Sequence, residues 1–298
     1  MNGPIPLTPS RAGALATLHL AVALFGFAGL FGKWLALPAV TIVFGRTLVA
    51  AAALALLLRL GREPAALPGA RFDRRLALNG AVLALHWVAF FEAIRIASVA
   101  IGLIGFASFP LFVLLLEAAG RQRVLRRGEW MTAALVAAGL VLVVPEFRWT
   151  NQTVQGLAWG VLSGFAFALL AVANRSLASR YRAGTIALWQ NSCAAACLLP
   201  PALLAGALPD GRELLLLVVL GVACTALAHT LFIGSLKALS AHTASVVAAL
   251  EPVYGIVLAF VLLGETPPPR TLGGAALIVG AALWASRTES LARRARFR

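Results

Sequence analysis

Long apolar runs alternate with short breaks in which arginine is concentrated. The runs cover residues 14–36, 39–59, 76–96, 98–119, 129–146, 155–176, 184–205, 213–236, 241–263 and 271–287. They leave no polar face to meet water, so amphipathic helices of a soluble domain do not describe them. Crossing the hydrocarbon core of a bilayer takes roughly 20 apolar residues. Each run meets that length loosely, the fifth and tenth being the shortest. The pattern predicts an all-α integral membrane protein of ten transmembrane helices with brief loops.

The runs also repeat. Lys33, Arg95 and Pro110 recur as Arg175, Lys237 and Pro252, each 142 positions later. The text around the second pair is Phe90-Phe91-Glu92-Ala93-Ile94-Arg95 against Phe232-Ile233-Gly234-Ser235-Leu236-Lys237. Two five-helix repeats follow, residues 1–150 and 151–298, together forming one membrane domain. Five is odd, so the second copy enters the membrane upside down. Inverted repeats are a secondary-transporter architecture, with the substrate site between the repeats near the midplane.

Composition sharpens this picture. The 298 residues are 61% hydrophobic and only 12% charged, with a mean hydropathy of +0.91. The net charge of +14 would suggest nucleic acid on a soluble chain. Here the basic residues mark one set of helix ends, among them Arg59, Arg62, Arg121, Arg127 and Arg180. The opposite ends hold only Lys33, Arg95, Arg148, Arg212 and Arg270. The positive-inside rule then places both termini in the cytoplasm and excludes a nucleic-acid partner. It also puts Lys33 and Arg95 outside and their partners Arg175 and Lys237 inside, a second argument for inversion. The basic tail Ala292–Arg298 is expected against anionic lipid headgroups. Cys193, Cys197 and Cys224 lack metal-ligand spacing, and neither a metal nor a cofactor is expected. The first run has no evident cleavage site and reads as a retained helix. The Ala- and Arg-rich, Lys-poor composition points to a multi-pass protein of a bacterial inner membrane.

Polar groups in hydrocarbon are costly and usually face the bundle interior or a wet cavity. Asn79, Leu83, His86 and Phe90 form one stripe of the third helix, with His86 near mid-span. His86 is read either as a ligand-contacting or proton-exchanging imidazole or as a neutral histidine bonded to a neighbouring helix. Trp159, Ser163 and Phe167 share a face of the sixth helix, Trp189 lies on the seventh, and His229 on the eighth is one residue from the repeat partner of His86. Glu251 and Tyr254 flank Pro252 in the ninth helix, and Glu251 is either a site carboxyl or a structural one. Arg46 and Glu92 lie at similar depth and are expected to pair. Lys33 and Arg95 are expected to join them in an outer gating or structural cluster.

Ala248-Ala249-Leu250-Glu251-Pro252-Val253, then Leu262-Leu263-Gly264-Glu265 and a last helix with Gly273, Gly274 and Gly280, resemble the drug/metabolite transporter superfamily in its EamA-type branch. The first half shows the same plan with Ser108-Phe109-Pro110, but has Gly120-Arg121 in place of Gly-Glu. Within that branch, His86 and the aromatic-rich middle are most similar to exporters of aromatic and other neutral amino acids. The resemblance implies export by alternating access without nucleotide hydrolysis, and the chain has no phosphate-binding G-x-x-x-x-G-K-[ST] loop. The expected partners are a small-molecule substrate and membrane lipids, and one chain suffices to house the site. Export of drugs or cationic toxic compounds is the nearer alternative. A membrane enzyme acting on lipid-like substrates lacks its catalytic motifs here, and a channel lacks pore loops.

Overall fold

The computed structural model describes residues 11–61, 73–120, 124, 127–144 and 148–296, and the regular structure among them is all helical. The first half contains α1 (Arg11–Trp34), α2 (Ala39–Leu60), α3 (Arg74–Ile96), α4 (Val99–Phe106), α5 (Phe109–Gly120) and α6 (Arg127–Val143). The second contains α7 (Gln152–Leu177), α8 (Ala183–Ala205), α9 (Gly211–Gly221), α10 (Ala228–Ser235), α11 (Ala241–Ala248), α12 (Glu251–Leu263) and α13 (Pro269–Arg296). A π-helical turn, Val222–Leu227, joins α9 to α10.

Among the described residues, eight helical segments are long and apolar enough to cross a membrane: 11–34, 39–60, 74–96, 99–120, 152–177, 183–205, 211–235 and 246–263. The fifth and tenth runs, now α6 and α13, fall outside that set. Arg62, Arg71, Arg121, Arg123 and Arg126 lie outside the described residues, as do Phe297 and Arg298 at the end of the basic tail. Leu57, Leu203 and Phe260 are among the large apolar side chains left exposed, as a lipid-facing surface requires.

The fourth and ninth runs stand among these candidate spans, but each is built from two half-helices that meet at a two-residue turn. Both break at the same place in the repeat. The pairs Val99 and Ala241, Phe106 and Ala248, and Phe109 and Glu251 bound the half-helices, each pair 142 residues apart. Pro110 and Pro252 stand second in the later halves. Proline has no N–H to continue a helical ladder, yet fits a first turn, where that donor has no intrahelical partner. Serines start the earlier halves: Ser98 Oγ accepts from Ile101 N at 3.1 Å and Ser240 Oγ from Thr243 N at 2.9 Å.

The halves interlock. α3 packs on α7 and α8, α1 on α10 and α12, α2 on α8, and α6 on α13. α4 meets α7 through Gly105 and Gly160, so closely that a Cβ on Gly105 would lie 2.8 Å from the Gly160 Cα. Small residues let membrane helices approach in this way. The main core lies between these helices and includes Leu18, Phe25, Leu83, Phe90, Phe106, Phe167 and Phe232.

Candidate functional site

The helical period puts Leu83, His86, Trp87 and Phe90 on one face of α3, and all four line a central cavity. Phe25 and Ala28 from α1, Arg46 from α2, Phe106 from α4, Phe167 from α7, His229 from α10 and Glu251 from α12 complete the lining. Both repeats therefore contribute. The space at the centre is about 20 Å³, room for about one water molecule. That space is too small for an amphipathic solute as it stands.

His86 is buried and fixed by Ser163. Its Nδ1 lies 2.8 Å from Ser163 Oγ and 3.1 Å from the Ser163 carbonyl oxygen. With a proton on Nδ1 the ring donates to the carbonyl; in the other tautomer the serine hydroxyl donates to the ring. Aromatic rings enclose the imidazole, Phe167 at 4.8 Å between centroids, Phe106 at 5.4 Å and Phe90 at 6.3 Å. Phe167 also meets Phe25 at 6.2 Å and Phe232 at 5.1 Å, edge-on and tilted respectively. A box of offset rings favours an apolar or aromatic group over a strongly hydrated one.

Arg46 is placed differently from the expectation. It does not pair with Glu92, which instead binds Arg95 at 2.9 Å on the same helix. Arg46 is 1% exposed and faces inward. Its Nε donates to Thr225 Oγ1 at 2.9 Å and its Nη2 to the Cys224 carbonyl at 3.2 Å. The guanidinium carbon stands 4.0 Å from the centroid of the Trp87 ring, within cation–π range. Thr225 in turn donates to the Leu220 carbonyl at 2.7 Å, five residues back. The π-turn thus presents a carbonyl and a hydroxyl to one buried arginine, a use consistent with π-bulges clustering at functional sites. Lys33 donates to the Ala97 carbonyl at 3.1 Å, two residues beyond Arg95 at the same end of α3.

Glu251 opens α12 at the helix break and is 3% exposed. Its Oε2 is buried and has no hydrogen-bond partner. His229 stacks edge-on against Trp87 at 5.8 Å, and its Nδ1 lies 3.5 Å from Asn191 Nδ2. Gln190 donates to Asn174 Oδ1 beside it. A second space of about 350 Å³ is lined by Thr17, Thr230, Ser235 and Lys237. His229 and Thr230 are adjacent on α10, so this short helix stands between the two spaces.

Of the residues singled out in sequence, His86, Phe90, Phe167, His229 and Glu251 meet at the cavity, with Ser163 behind His86. Three do not line it. Trp159 is half-buried elsewhere on α7. Trp189 packs against a satellite cluster with Leu177, Ile186 and Ile233. Tyr254 points toward α1, its hydroxyl 3.5 Å from His19 Nδ1. Trp87 and Phe106 escaped sequence reasoning. Trp87 had a signal, because it follows Leu83 by four residues on the same face; Phe106 is positioned by the break after α4, which the apolar run does not announce.

The model of the EamA-like transporter family matches residues 12–144 and 154–287, once in each half. The pseudopaline exporter of Pseudomonas aeruginosa is 29% identical over 265 residues, 85% of this chain and 88% of its own. The S-adenosylmethionine uptake transporter of Rickettsia felis is 27% identical over 218 residues, 72% of each chain. A solved crystal structure superposes with a TM-score of 0.71 at 21% identity, over 94% of this chain and 99% of its own. That last likeness carries the fold alone.

Proposed function

This chain belongs to the EamA-like transporter family, and on that premise we propose that it exports small amphipathic metabolites, amino acids including aromatic ones foremost, by alternating access. It is a multi-pass membrane transporter and not an enzyme. The observation that carries the finer reading is the central cavity, lined from both repeats by aromatic rings, His86, Arg46 and Glu251. Such a site suits a solute with an apolar side and a charged end. The relatives named above differ in direction, one an exporter and one an uptake transporter, so export is part of the proposal.

In this reading α6 and α13 complete ten spans, residues 1–150 and 151–298 are inverted repeats, and both termini face the cytoplasm of a bacterial inner membrane. One chain holds the whole site. The larger space beside Lys237 is the cytoplasmic vestibule, and α10 separates it from the cavity. Rocking of the repeats about the broken helices α4–α5 and α11–α12 opens the cavity to either side.

A second reading is export of hydrophobic cations. The unpartnered Oε2 of Glu251 favours it, while Arg46 in the same lining opposes it. Flux of labelled Phe, Ala and a hydrophobic cation into proteoliposomes, with and without an inward proton gradient, separates the two. Amino-acid flux that falls in His86→Ala supports the first reading, and its response to the gradient reveals coupling. Cation flux without amino-acid flux moves the assignment to the second.

A further inference from the structure

We propose that Arg46 and Glu251 read the two ends of a zwitterion, Arg46 taking a carboxylate and Glu251 an ammonium, so that the cavity selects solutes carrying both charges close together. The inference rests on the central cavity being the substrate site, and it names the substrate class more narrowly than that reading does.

The two side chains come from opposite repeats, α2 and α12, and line one cavity. They are 1% and 3% exposed. Arg46 spends its hydrogen bonds on neutral acceptors, a hydroxyl and a carbonyl. Glu251 keeps one buried oxygen, Oε2, with no hydrogen-bond partner, and among the described residues no ion pair joins it to Arg46, although both line the same space. A guanidinium and a carboxyl held apart in a low-dielectric site are costly to keep ionised unless something compensates them. A solute carrying one charge answers only one of them and unbalances the cavity. A solute carrying both charges answers both, with no net charge added.

The remaining groups fit this division. The Trp87 ring under the guanidinium, together with Thr225 and the Cys224 carbonyl, holds Arg46 in place. Held along its Nε–Nη2 edge, the guanidinium keeps Nη1 and the outer N–H of Nη2 as a fixed end-on pair for a carboxylate. His86 from α3 and His229 from α10 are the other titratable groups facing the space. Neither carries a fixed charge that would replace Arg46 or Glu251. Phe25, Phe106 and Phe167 leave the apolar part of the solute a ring-lined side.

The test uses the full chain in proteoliposomes and solutes of one skeleton with different ends: phenylalanine, phenethylamine and 3-phenylpropionate, with N-benzylglycine as a zwitterion of another skeleton. Wild type is expected to move at least one zwitterion tenfold or more faster than the amine or the acid. Glu251→Gln should lower zwitterion flux and raise the acid-to-zwitterion ratio about tenfold. Arg46→Gln should raise the amine-to-zwitterion ratio instead, and Arg46→Lys should keep the zwitterion preference with weaker flux. Where Arg46→Gln does not fold, the near-isosteric Glu251→Gln decides alone. Equal flux of amine, acid and zwitterion, abolished by His86→Ala, overturns the pairing and leaves the transport site standing. Movement of N-benzylglycine but not of phenylalanine, with the same charge dependence, upholds the pairing and sinks the reading that aromatic amino acids such as phenylalanine are the substrates. Absence of flux for every zwitterion overturns the pairing.

Discussion

Lys33 and Arg175 make the same hydrogen bond in different halves of the molecule. Lys33 Nζ donates to the Ala97 carbonyl at 3.1 Å, and Arg175 Nη1 donates to the Leu239 carbonyl at 2.8 Å. Each acceptor lies 64 residues beyond its donor. Donors and acceptors alike are 142 apart, the step of the sequence repeat. In each half a basic residue at the end of the first helix caps the carbonyl just after the third, where the helical ladder has run out of donors. A cation there also meets the negative end of the helix dipole.

These two bonds are expected to hold opposite faces of the transporter. In the inverted arrangement proposed above, one would lie at the outer surface and its twin at the inner surface. Lys33→Met and Arg175→Met should therefore bias accessibility in opposite directions. An exposed charged bond of this kind is worth about 1 kcal/mol, or about a five-fold shift in population. Alkylation of a single cysteine introduced beside the cavity, from each side of the membrane, reads the shift. Shifts in the same direction for both variants would argue against the two bonds holding opposite faces.

His86 and Ser163 give a second prediction. Ser163 touches the imidazole and is 0% exposed, so it orients the ring without reaching the cavity itself. His86→Ala is expected to lower amino-acid flux tenfold or more. Ser163→Ala should lower it less and alter apparent affinity more than maximal rate. If the two variants lose flux equally, Ser163 is more than a positioning residue.

The α4–α7 contact yields a stability prediction. A methyl on Gly105 or Gly160 meets backbone atoms of the facing helix within about 3 Å, and backbone cannot yield as a side-chain tip can. Gly160→Ala should destabilise by about 1–3 kcal/mol, the usual cost of overpacking. Gly120, with nothing within 4 Å of an added Cβ, supplies the control: Gly120→Ala should leave thermal unfolding in detergent unchanged or slightly raised.

How far the sequence led depends on what kind of information each feature needs. Eight of the spans and the two-repeat plan were legible because hydrocarbon demands long apolar runs and a gap-free repeat preserves its register. His86 was legible because a polar group at mid-span must turn inward. The pairing of Arg46 was not. Similar depth on α2 and α3 says nothing about the direction each side chain takes around its helix, and the true partners, Thr225 and Cys224, lie on a π-turn that no 3.6-residue period announces. Trp159 and Trp189 misled for the converse reason: sharing a helix with cavity residues does not put an aromatic ring in the cavity.

Gly264 and Glu265 show what a short motif does physically, and they supply the last prediction. Gly264 takes a φ of +67°, the left-handed geometry that ends α12. The chain then turns so that the Glu265 carboxylate accepts from Val99 N at 3.3 Å and Ala100 N at 3.4 Å. The end of a half-helix in one repeat is thereby tied to the start of a half-helix in the other. A carboxylate at a helix N-terminus meets donors without intrahelical partners and the positive end of the dipole. α4 carries Phe106, which packs on His86, so this cap also supports the site. Glu265→Gln keeps the shape and removes the charge, and should cost about 0.5–1 kcal/mol. Glu265→Ala removes the cap and should cost about 1–2 kcal/mol. Ser240→Ala, at the start of α11, weakens the corresponding half-helix without touching the link between repeats. Thermal unfolding should therefore fall in all three variants, whereas substrate flux should fall more in the Glu265 variants than in Ser240→Ala. Equal flux losses would mean that Glu265 supports its helix and nothing beyond it.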